Sequence, residues 1–472
     1  MADIGLVGLG VMGANLSLNM AEKGYTVAVY NRTTARTDAF IAHAGNLAPK
    51  LVPCKTLAEL AEAVEPPRPV VIMVKAGSAV DEQAAVLAPH MQKGDILIDC
   101  GNANFRDTRR RVEEYEPKGI DFLGIGVSGG EEGARHGPSI MAGGSKAAWG
   151  RVADIFTAIS AKFENEPCAA LVGPEGAGHF VKTIHNGIEY ADMQMIAEIY
   201  GIMRDGLNLA PKRMAEVFQR WNEGPLKSYL IEITGKVLET VDQRTGKPIV
   251  DIILDTAGQK GTGRWSVMEA QDLGVPATVI EAAVAARALS SQKPARIAAE
   301  ALFGAAERRL DTQMDLDALL RALEQALLAG KIAAYAQGFA VMAAASDTWK
   351  WNLPLGTIAR IWRAGCIIRS VFLDDISKAF AATSTVGNLM TIEPFTGMLK
   401  ATNQSLRLIV AQAMLKGIPV PALSSALAYF DLMRTGRSTA DLTQAQRDFF
   451  GAHGFERLDE PGKEAHGPWA MG

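Results

Sequence analysis

Lys182, His185, Asn186 and Glu189 bring a base, an imidazole, an amide and an acid into one short stretch of chain. At about 100° per residue, a helix through this segment carries all four on one face. Phe180, Ile184, Ile188, Ala191 and Met195 fall on the other. These are the groups that general acid–base chemistry uses. The same spacing also suits a surface helix closed by a Lys182–Glu189 charge pair. Just upstream runs Gly173-Pro174-Glu175-Gly176-Ala177-Gly178, whose glycine and proline steps mark a domain boundary, where clefts form.

A second constellation lies at the N-terminus. Ile4–Val7 reads as a strand and runs into Gly8-Leu9-Gly10-Val11-Met12-Gly13, with a helix after it and a second strand ending at Tyr30. In this context the first glycine permits a tight turn and the second lets a pyrophosphate approach the backbone. The third lets helix pack on strand, and the helix N-terminus offers free N–H groups to the phosphates. An NAD site would place Asp or Glu at the end of the second strand, but here stand Asn31, Arg32 and Thr33. A guanidinium between two short polar side chains suits a 2′-phosphate, so the expected cofactor is NADP. Arg32 as a plain solvated charge is the alternative. Val74-Lys75-Ala76 and Asp99-Cys100-Gly101-Asn102 end further strands, where ligands of open parallel sheets gather.

Three lesser features carry chemistry. Ser128-Gly129-Gly130 follows a strand, and its exposed N–H groups read either as a nest for a carboxylate or as a structural turn. Lys260-Gly261-Thr262-Gly263-Arg264 suggests a phosphate cradle without Walker spacing. Arg287 in an alanine-rich helix, and Arg447 and His453 in a polar tail, are singly as compatible with solvated surface as with a site.

The elements that must position these groups follow from periodicity. Ile4–Val7, Thr26–Tyr30, Val70–Val74, Ile96–Asp99 and Phe122–Val127 are apolar runs separated by helical stretches such as Ala14–Lys23 and Thr33–Ala44. This alternation predicts an α/β, Rossmann-like domain with a mainly parallel sheet over residues 1–177. From 178 to 435 the chain is rich in Ala, Leu, Ile and Met at helical spacing, which predicts a large all-α domain. Residues 436–472 form a polar C-terminal tail that keeps Phe449, Phe450, Phe455 and Trp469, more aromatics than a purely solvating tail holds.

Composition limits the function class. Of 472 residues, 48% are hydrophobic and 21% charged, and the net charge is −4; this is a folded protein with no basic surplus for nucleic acid or an anionic membrane. Cys54, Cys100, Cys168 and Cys366 form no CxxC pair, which suits a reducing compartment, and the expected location is the cytoplasm. Asp3 and the lack of a basic leader argue against a signal peptide. The apolar run Ile332–Ser346, flanked by Lys331 and Asp347, is shorter than the roughly 20 residues of a membrane span and reads as a buried helix. The seven histidines form no HExxH or comparable ligand set, so no metal is expected.

Taken together, these segments resemble the decarboxylating 6-phosphogluconate dehydrogenases over nearly the whole chain. The stretches that carry the resemblance are Gly8–Gly13, Val127–Ala134, Lys182–Tyr190, Gln259–Gly263 and Ala445–His453. Cys100 and Ala191 stand where the family usually has glycine, and Arg264 where lysine is common. The resemblance implies oxidation of 6-phosphogluconate at C3 by NADP⁺, loss of CO₂ and formation of ribulose 5-phosphate, without a metal. It implies Lys182 as a general base that must be neutral, and Glu189 as the acid that protonates C1. Asn102, Ser128, Gly129, Gly130, His185 and Asn186 would hold the carboxylate and hydroxyls. Tyr190, Lys260, Thr262, Arg287 and Arg447 would surround the 6-phosphate. The tail, with Arg447 and His453, would complete the site of a neighbouring subunit, giving a homodimer with shared active sites. The rival expectations are a shorter hydroxyacid dehydrogenase of the 3-hydroxyisobutyrate type and a non-catalytic NADP-binding protein.

Overall fold

In a computed structural model, residues 1–310, 314–382 and 387–471 are described. They form two compact units, Met1–Ala426 and Leu427–Gly472.

The first unit is built on an eight-stranded sheet. Its strands are β1 (Ile4–Val7), β2 (Val27–Tyr30), β3 (Leu51–Cys54), β4 (Pro69–Ile72), β5 (Ile96–Asp99), β6 (Asp121–Val127), β7 (Ile140–Gly143) and, after a small β8–β9 hairpin (Lys162–Phe163, Glu166–Pro167), β10 (Ala169–Gly173). Their order is β10-β7-β6-β5-β4-β1-β2-β3, and every pairing is parallel except β6 with β7. Successive strand residues alternate between two cores. Ile4, Leu6, Val71, Ile96 and Ile98 enter one, while Val7, Val70, Ile72 and Leu97 enter the other. Both faces are therefore covered, which is why these strands read as unbroken apolar runs. Each such fully buried side chain contributes roughly 1.5–3 kcal/mol.

The sheet has three strands beyond the expected five. β3 contains Pro53, tolerated because β3 is an edge strand. β7 reads Ile-Met-Ala-Gly and β10 is alanine-rich, so neither carries a β-branched run. Three of the expected strands shift by one or two residues: β2 begins at Val27, β4 spans Pro69–Ile72 and β6 begins at Asp121.

The helices in this region are α1 (Val11–Glu22), α2 (Thr34–His43), α3 (Leu57–Ala63), α4 (Ser78–Leu87), α5 (Phe105–Tyr115), α6 (Gly130–His136) and α7 (Lys146–Ile159). Then comes α8 (Ala177–Gly201), buried along most of its length. It lies directly on the sheet because small residues permit contact. A Cβ on Gly178 would come within 2.4 Å of the carbonyl oxygens of Gly124 and Met141, and one on Gly126 within 2.5 Å of the Lys182 Cβ. Lys182 is thereby set over β6.

On its other side α8 packs against the helix Leu316–Trp349. This helix is long and apolar enough to cross a membrane, but 89% of its apolar window is buried inside the protein, so it is a core helix, as the Ile332–Ser346 run implied. Lys331 on it forms a buried ion pair with Asp192 of α8 at 2.7 Å.

The second unit contains a helix, Ala440–Gly451, and a two-stranded hairpin, Phe455–Glu456 with Glu464–Ala465. Asp448 organises it, accepting hydrogen bonds from the backbone N–H groups of Gly454 and Gly467 and from Trp469 Nε1, with His466 Nδ1 at 2.7 Å.

Candidate active site

The three glycines of the first turn meet three different demands. Gly8 has φ +103°, and a Cβ there would lie 2.4 Å from the Met73 carbonyl oxygen. A Cβ on Gly13 would come within 1.9 Å of the Gly8 carbonyl oxygen, whereas one on Gly10 would meet nothing within 4 Å. Gly10 is thus the open position where a ligand can reach the backbone. No side chain caps the N-terminus of α1, and its first turn holds no acid, so its N–H groups are free for an anion.

A cleft of about 370 Å³ opens beside this turn, lined by Gly8, Gly10, Asn31, Arg32, Thr33, Arg36, Val74 and Lys75 among others. The Leu9 N–H donates to Asn31 Oδ1 at 3.1 Å, so Asn31 braces the glycine turn. Leu9, Val11, Met12, Gly13 and Ala76, expected as cofactor contacts, are not among its lining residues. The sequence reading missed Arg36. It stands four residues after Arg32, in the first turn of α2, and both guanidiniums border the cleft. That i,i+4 spacing was the available signal. Two arginines, a Thr33 hydroxyl that makes no cap bond to α2 and a helix N-terminus fit a dinucleotide bearing a 2′-phosphate.

Three members of the polar stripe of α8 are buried and Glu189, 20% exposed, is half-buried, which removes the surface-helix alternative. Lys182 is 6% exposed, His185 0% and Asn186 9%. Lys182 Nζ donates to Ser128 Oγ at 2.9 Å and lies 3.3 Å from His185 Nδ1. Asn186 Oδ1 lies 3.2 Å from His185 Nδ1, and Glu189 Oε2 lies 3.8 Å from it. Both faces of α8 are covered, so the helix is less amphipathic than its spacing implies.

Burial pushes the Lys182 amine below its ordinary value, and the Glu189 carboxyl partly opposes this. Burial likewise lifts Glu189, against the pull of Lys182 and Arg287. His185 is held well below its ordinary value by burial first and Lys182 second. All three shifts run toward the uncharged form of the group, because charge is expensive there.

Other expected residues assemble around this centre. Gly129 and Gly130 have φ +102° and +63°, and a Cβ on Gly129 would lie 2.5 Å from the Gly365 carbonyl oxygen. The Gly365 segment therefore walls the nest, a contact invisible in the sequence. Asn102 is exposed in the turn after β5, shaped by the Gly101 N–H bond to Asp99 Oδ1 at 2.9 Å. Cys100 fits the position of the family glycine because it is not among the residues with positive φ and its side chain is buried.

Tyr190, Thr262 and Arg287 come together: the Arg287 guanidinium lies 3.7 Å from the Tyr190 ring centroid. A Cβ on Gly263, beside Thr262, would lie 2.5 Å from the Tyr190 ring. Lys260 is exposed in the loop just before. Arg447 and His453 are both exposed in the second unit, where Arg447 donates to Gln444.

A dinucleotide cleft at the carboxyl ends of a Rossmann-like sheet, followed by a helix bearing a buried amine and acid, defines a nicotinamide-dependent oxidoreductase. Residues 3–173 match the NAD binding domain of 6-phosphogluconate dehydrogenase, and residues 178–469 its C-terminal domain. Two proteins of Bacillus subtilis are each 48% identical over 460 residues. One is the NAD(+)-dependent decarboxylating 6-phosphogluconate dehydrogenase, aligned over 98% of both chains. The other is the NADP(+)-dependent enzyme, aligned over 98% of this chain and 97% of that one. The solved structure of the Plasmodium falciparum 6-phosphogluconate dehydrogenase, described in apo form and with NADP+ and 6-phosphogluconate, superposes with a TM-score of 0.96 at 44% identity, covering 99% of this chain and 100% of that one. The chain belongs to the 6-phosphogluconate dehydrogenase family. The shorter hydroxyacid dehydrogenase reading is set aside.

Proposed function

We propose that the protein catalyses the NADP-dependent oxidative decarboxylation of 6-phosphogluconate to ribulose 5-phosphate, CO₂ and NADPH. The observation that carries this reading is the buried contact of Lys182 Nζ with Ser128 Oγ and His185, with Glu189 on the same helix. The cofactor, when bound in the cleft, supplies a hydride acceptor.

Lys182, whose burial shifts it toward the neutral amine, takes the proton of the C3 hydroxyl as the hydride leaves C3. As an ammonium it then donates to the C3 carbonyl oxygen of the β-keto acid and stabilises the enolate formed as CO₂ departs. Glu189, whose burial shifts it toward the protonated acid, delivers its proton to C1 of the enediol, the carbon that lost CO₂, while a neutral Lys182 amine takes the hydroxyl proton released as the C2 carbonyl forms. The Ser128–Gly130 nest, Asn102, His185 and Asn186 hold the carboxylate and hydroxyls. Tyr190, Lys260, Thr262 and Arg287 surround the 6-phosphate. Arg32, Thr33 and Arg36 supply the preference for a 2′-phosphate.

We further propose a homodimer in which the segment 436–472 reaches the partner, with Arg447 and His453 completing the neighbouring site. The exposed Phe449 and Phe450 support a covered rather than a solvated tail. The four free, buried cysteines agree with a cytoplasmic enzyme. The purified protein given 6-phosphogluconate and NADP⁺ is expected to yield NADPH and CO₂ in equal amounts. NADPH without CO₂, or turnover only of unphosphorylated hydroxy acids, would refute the assignment.

A further inference from the structure

Arg106 stands in the first turn of α5, where its N–H donates to the capping Asn104 Oδ1 at 2.9 Å. Its side chain reaches out of the α/β region to the helix Thr262–Asp272. Arg106 Nε donates to Glu269 Oε1 at 3.0 Å and Nη2 to Glu269 Oε2 at 2.7 Å, and Nη2 also lies 3.0 Å from Asp272 Oδ2. Arg106 is exposed, but Glu269 is only 3% exposed. Both oxygens of a buried carboxylate are thus taken up by one guanidinium. An ion pair on the open surface does little, whereas a fork that holds a charge out of water cannot be broken without moving that charge.

The helix that carries Glu269 begins at the phosphate cradle. Gly261 precedes it with φ +99°, Thr262 is its first residue, and its first turn holds neither a side-chain cap nor an acid. Midway along, Ser266 Oγ donates to the carbonyl oxygen of Thr183, the neighbour of Lys182 in α8, at 2.6 Å. A Cβ on Gly187 would lie 2.7 Å from Ser266 Cβ, so the helix rests on α8 at Ser266. Glu269 lies three residues beyond that support and Thr262 four residues before it. At 1.5 Å of rise per residue the two arms measure about 5 Å and about 6 Å. A tilt about Ser266 that carries Glu269 toward water therefore moves Thr262 by a similar distance.

We propose that Arg106 is a positioning residue: through Glu269 it fixes the tilt of the helix Thr262–Asp272 on α8 and so sets the spacing between the 6-phosphate cradle and the Lys182 amine. This rests on the reading that Lys260 and Thr262 hold the 6-phosphate and Lys182 acts at C3. Arg106 acts only through Glu269, with no contact of its own to the substrate.

The test is a double-mutant cycle of Arg106→Met and Glu269→Met, with Glu269→Gln as the conservative variant. Two quantities are read at saturating NADP: kcat/KM for 6-phosphogluconate, and the inhibition constant of inorganic phosphate competing with it. Arg106→Met is expected to lower kcat/KM about 10- to 100-fold, since a misplacement of about 1 Å can cost the larger factor. The inhibition constant of phosphate should change less than about twofold, because phosphate alone does not span the cradle and the amine. The double variant should be no worse than Arg106→Met, since one contact is broken only once. Glu269→Gln, which keeps an acceptor for the guanidinium, should recover most of the rate lost in Glu269→Met. It also carries the comparison of the two readouts if a Met variant fails to fold. Losses that add in the double variant, phosphate affinity falling in parallel with kcat/KM, equal kinetics of the Gln and Met variants, or a lowered melting temperature with kinetics intact would each overturn the proposal. A wild-type protein inert toward 6-phosphogluconate would instead overturn the functional reading beneath it.

Discussion

Replacing Arg32 and Arg36 together by alanine separates the two nicotinamide cofactors. Both guanidiniums border the cleft beside Thr33, and both are exposed to solvent. A charge-assisted bond to a phosphate is worth about 1.5–3 kcal/mol when sheltered. Exposure and salt reduce that to about 1 kcal/mol for each arginine. Two such losses correspond to a rise of about 30-fold in the KM for NADP. NAD has no 2′-phosphate for either group to hold, so its KM should move less than about twofold. The assay is initial-rate production of reduced nicotinamide at saturating 6-phosphogluconate, with each cofactor, at low and high salt. The NADP effect should shrink as ionic strength rises. An equal rise for both cofactors, or none for either, would refute the reasoning. The test discriminates because an NAD(+)-dependent and an NADP(+)-dependent relative are both 48% identical to this chain, so overall similarity does not choose between them.

Three other outcomes are expected. Burial lifts the Glu198 carboxyl from an ordinary 4.5 to about 7, although it accepts the backbone N–H groups of Ala422 and Leu423. The folded chain therefore holds this proton more tightly than the unfolded chain does, and the group's contribution to stability falls as pH rises from about 4.5 to about 7. Relative to Glu198→Gln, urea unfolding of the wild type should accordingly lose up to about 3 kcal/mol between those limits; parallel pH profiles would contradict this. Lys331→Met strands the buried Asp192 charge and should cost about 3–5 kcal/mol in denaturant unfolding, whereas Lys331→Met with Asp192→Leu should restore most of it. A double variant no better than the single would count against the ion-pair account. Mixing inactive Lys182→Ala and Arg447→Ala proteins, refolded together, should restore about a quarter of wild-type activity if each site draws Arg447 from its neighbour, since random pairing then leaves one intact site in half of the dimers; no recovery would mean that the tail serves its own subunit.

The sequence made legible whatever depends on local pattern. Strands β1, β2, β4, β5 and β6 follow from apolar runs because both sheet faces are covered, and the glycine turn follows from three backbone demands at fixed spacing. The Lys182–Glu189 stripe is visible as a helix face, but whether it is solvated or buried depends on the sheet beneath it and on the Leu316–Trp349 helix, which is distant in sequence. β3, β7 and β10 were hidden by a proline, glycines and alanines in strands specified by their neighbours. The Gly365 wall behind Gly129 and the stacking of Arg287 on Tyr190 join residues about 100 or more positions apart, and periodicity does not report on such pairs. Arg36 falls outside the strand-end pattern because it reaches the cleft from the first turn of α2, not from the end of β2.

The most direct test of the central claim is a rapid-quench experiment that follows NADPH and ribulose 5-phosphate in one turnover of the wild type, Lys182→Ala and Glu189→Gln. The wild type should form both in step. Lys182→Ala should form NADPH slower by about 10²–10⁴-fold, as for a lost general base, and Glu189→Gln should give an early burst of NADPH with ribulose 5-phosphate lagging well behind. Hydride transfer at the wild-type rate without the Lys182 amine would contradict the account.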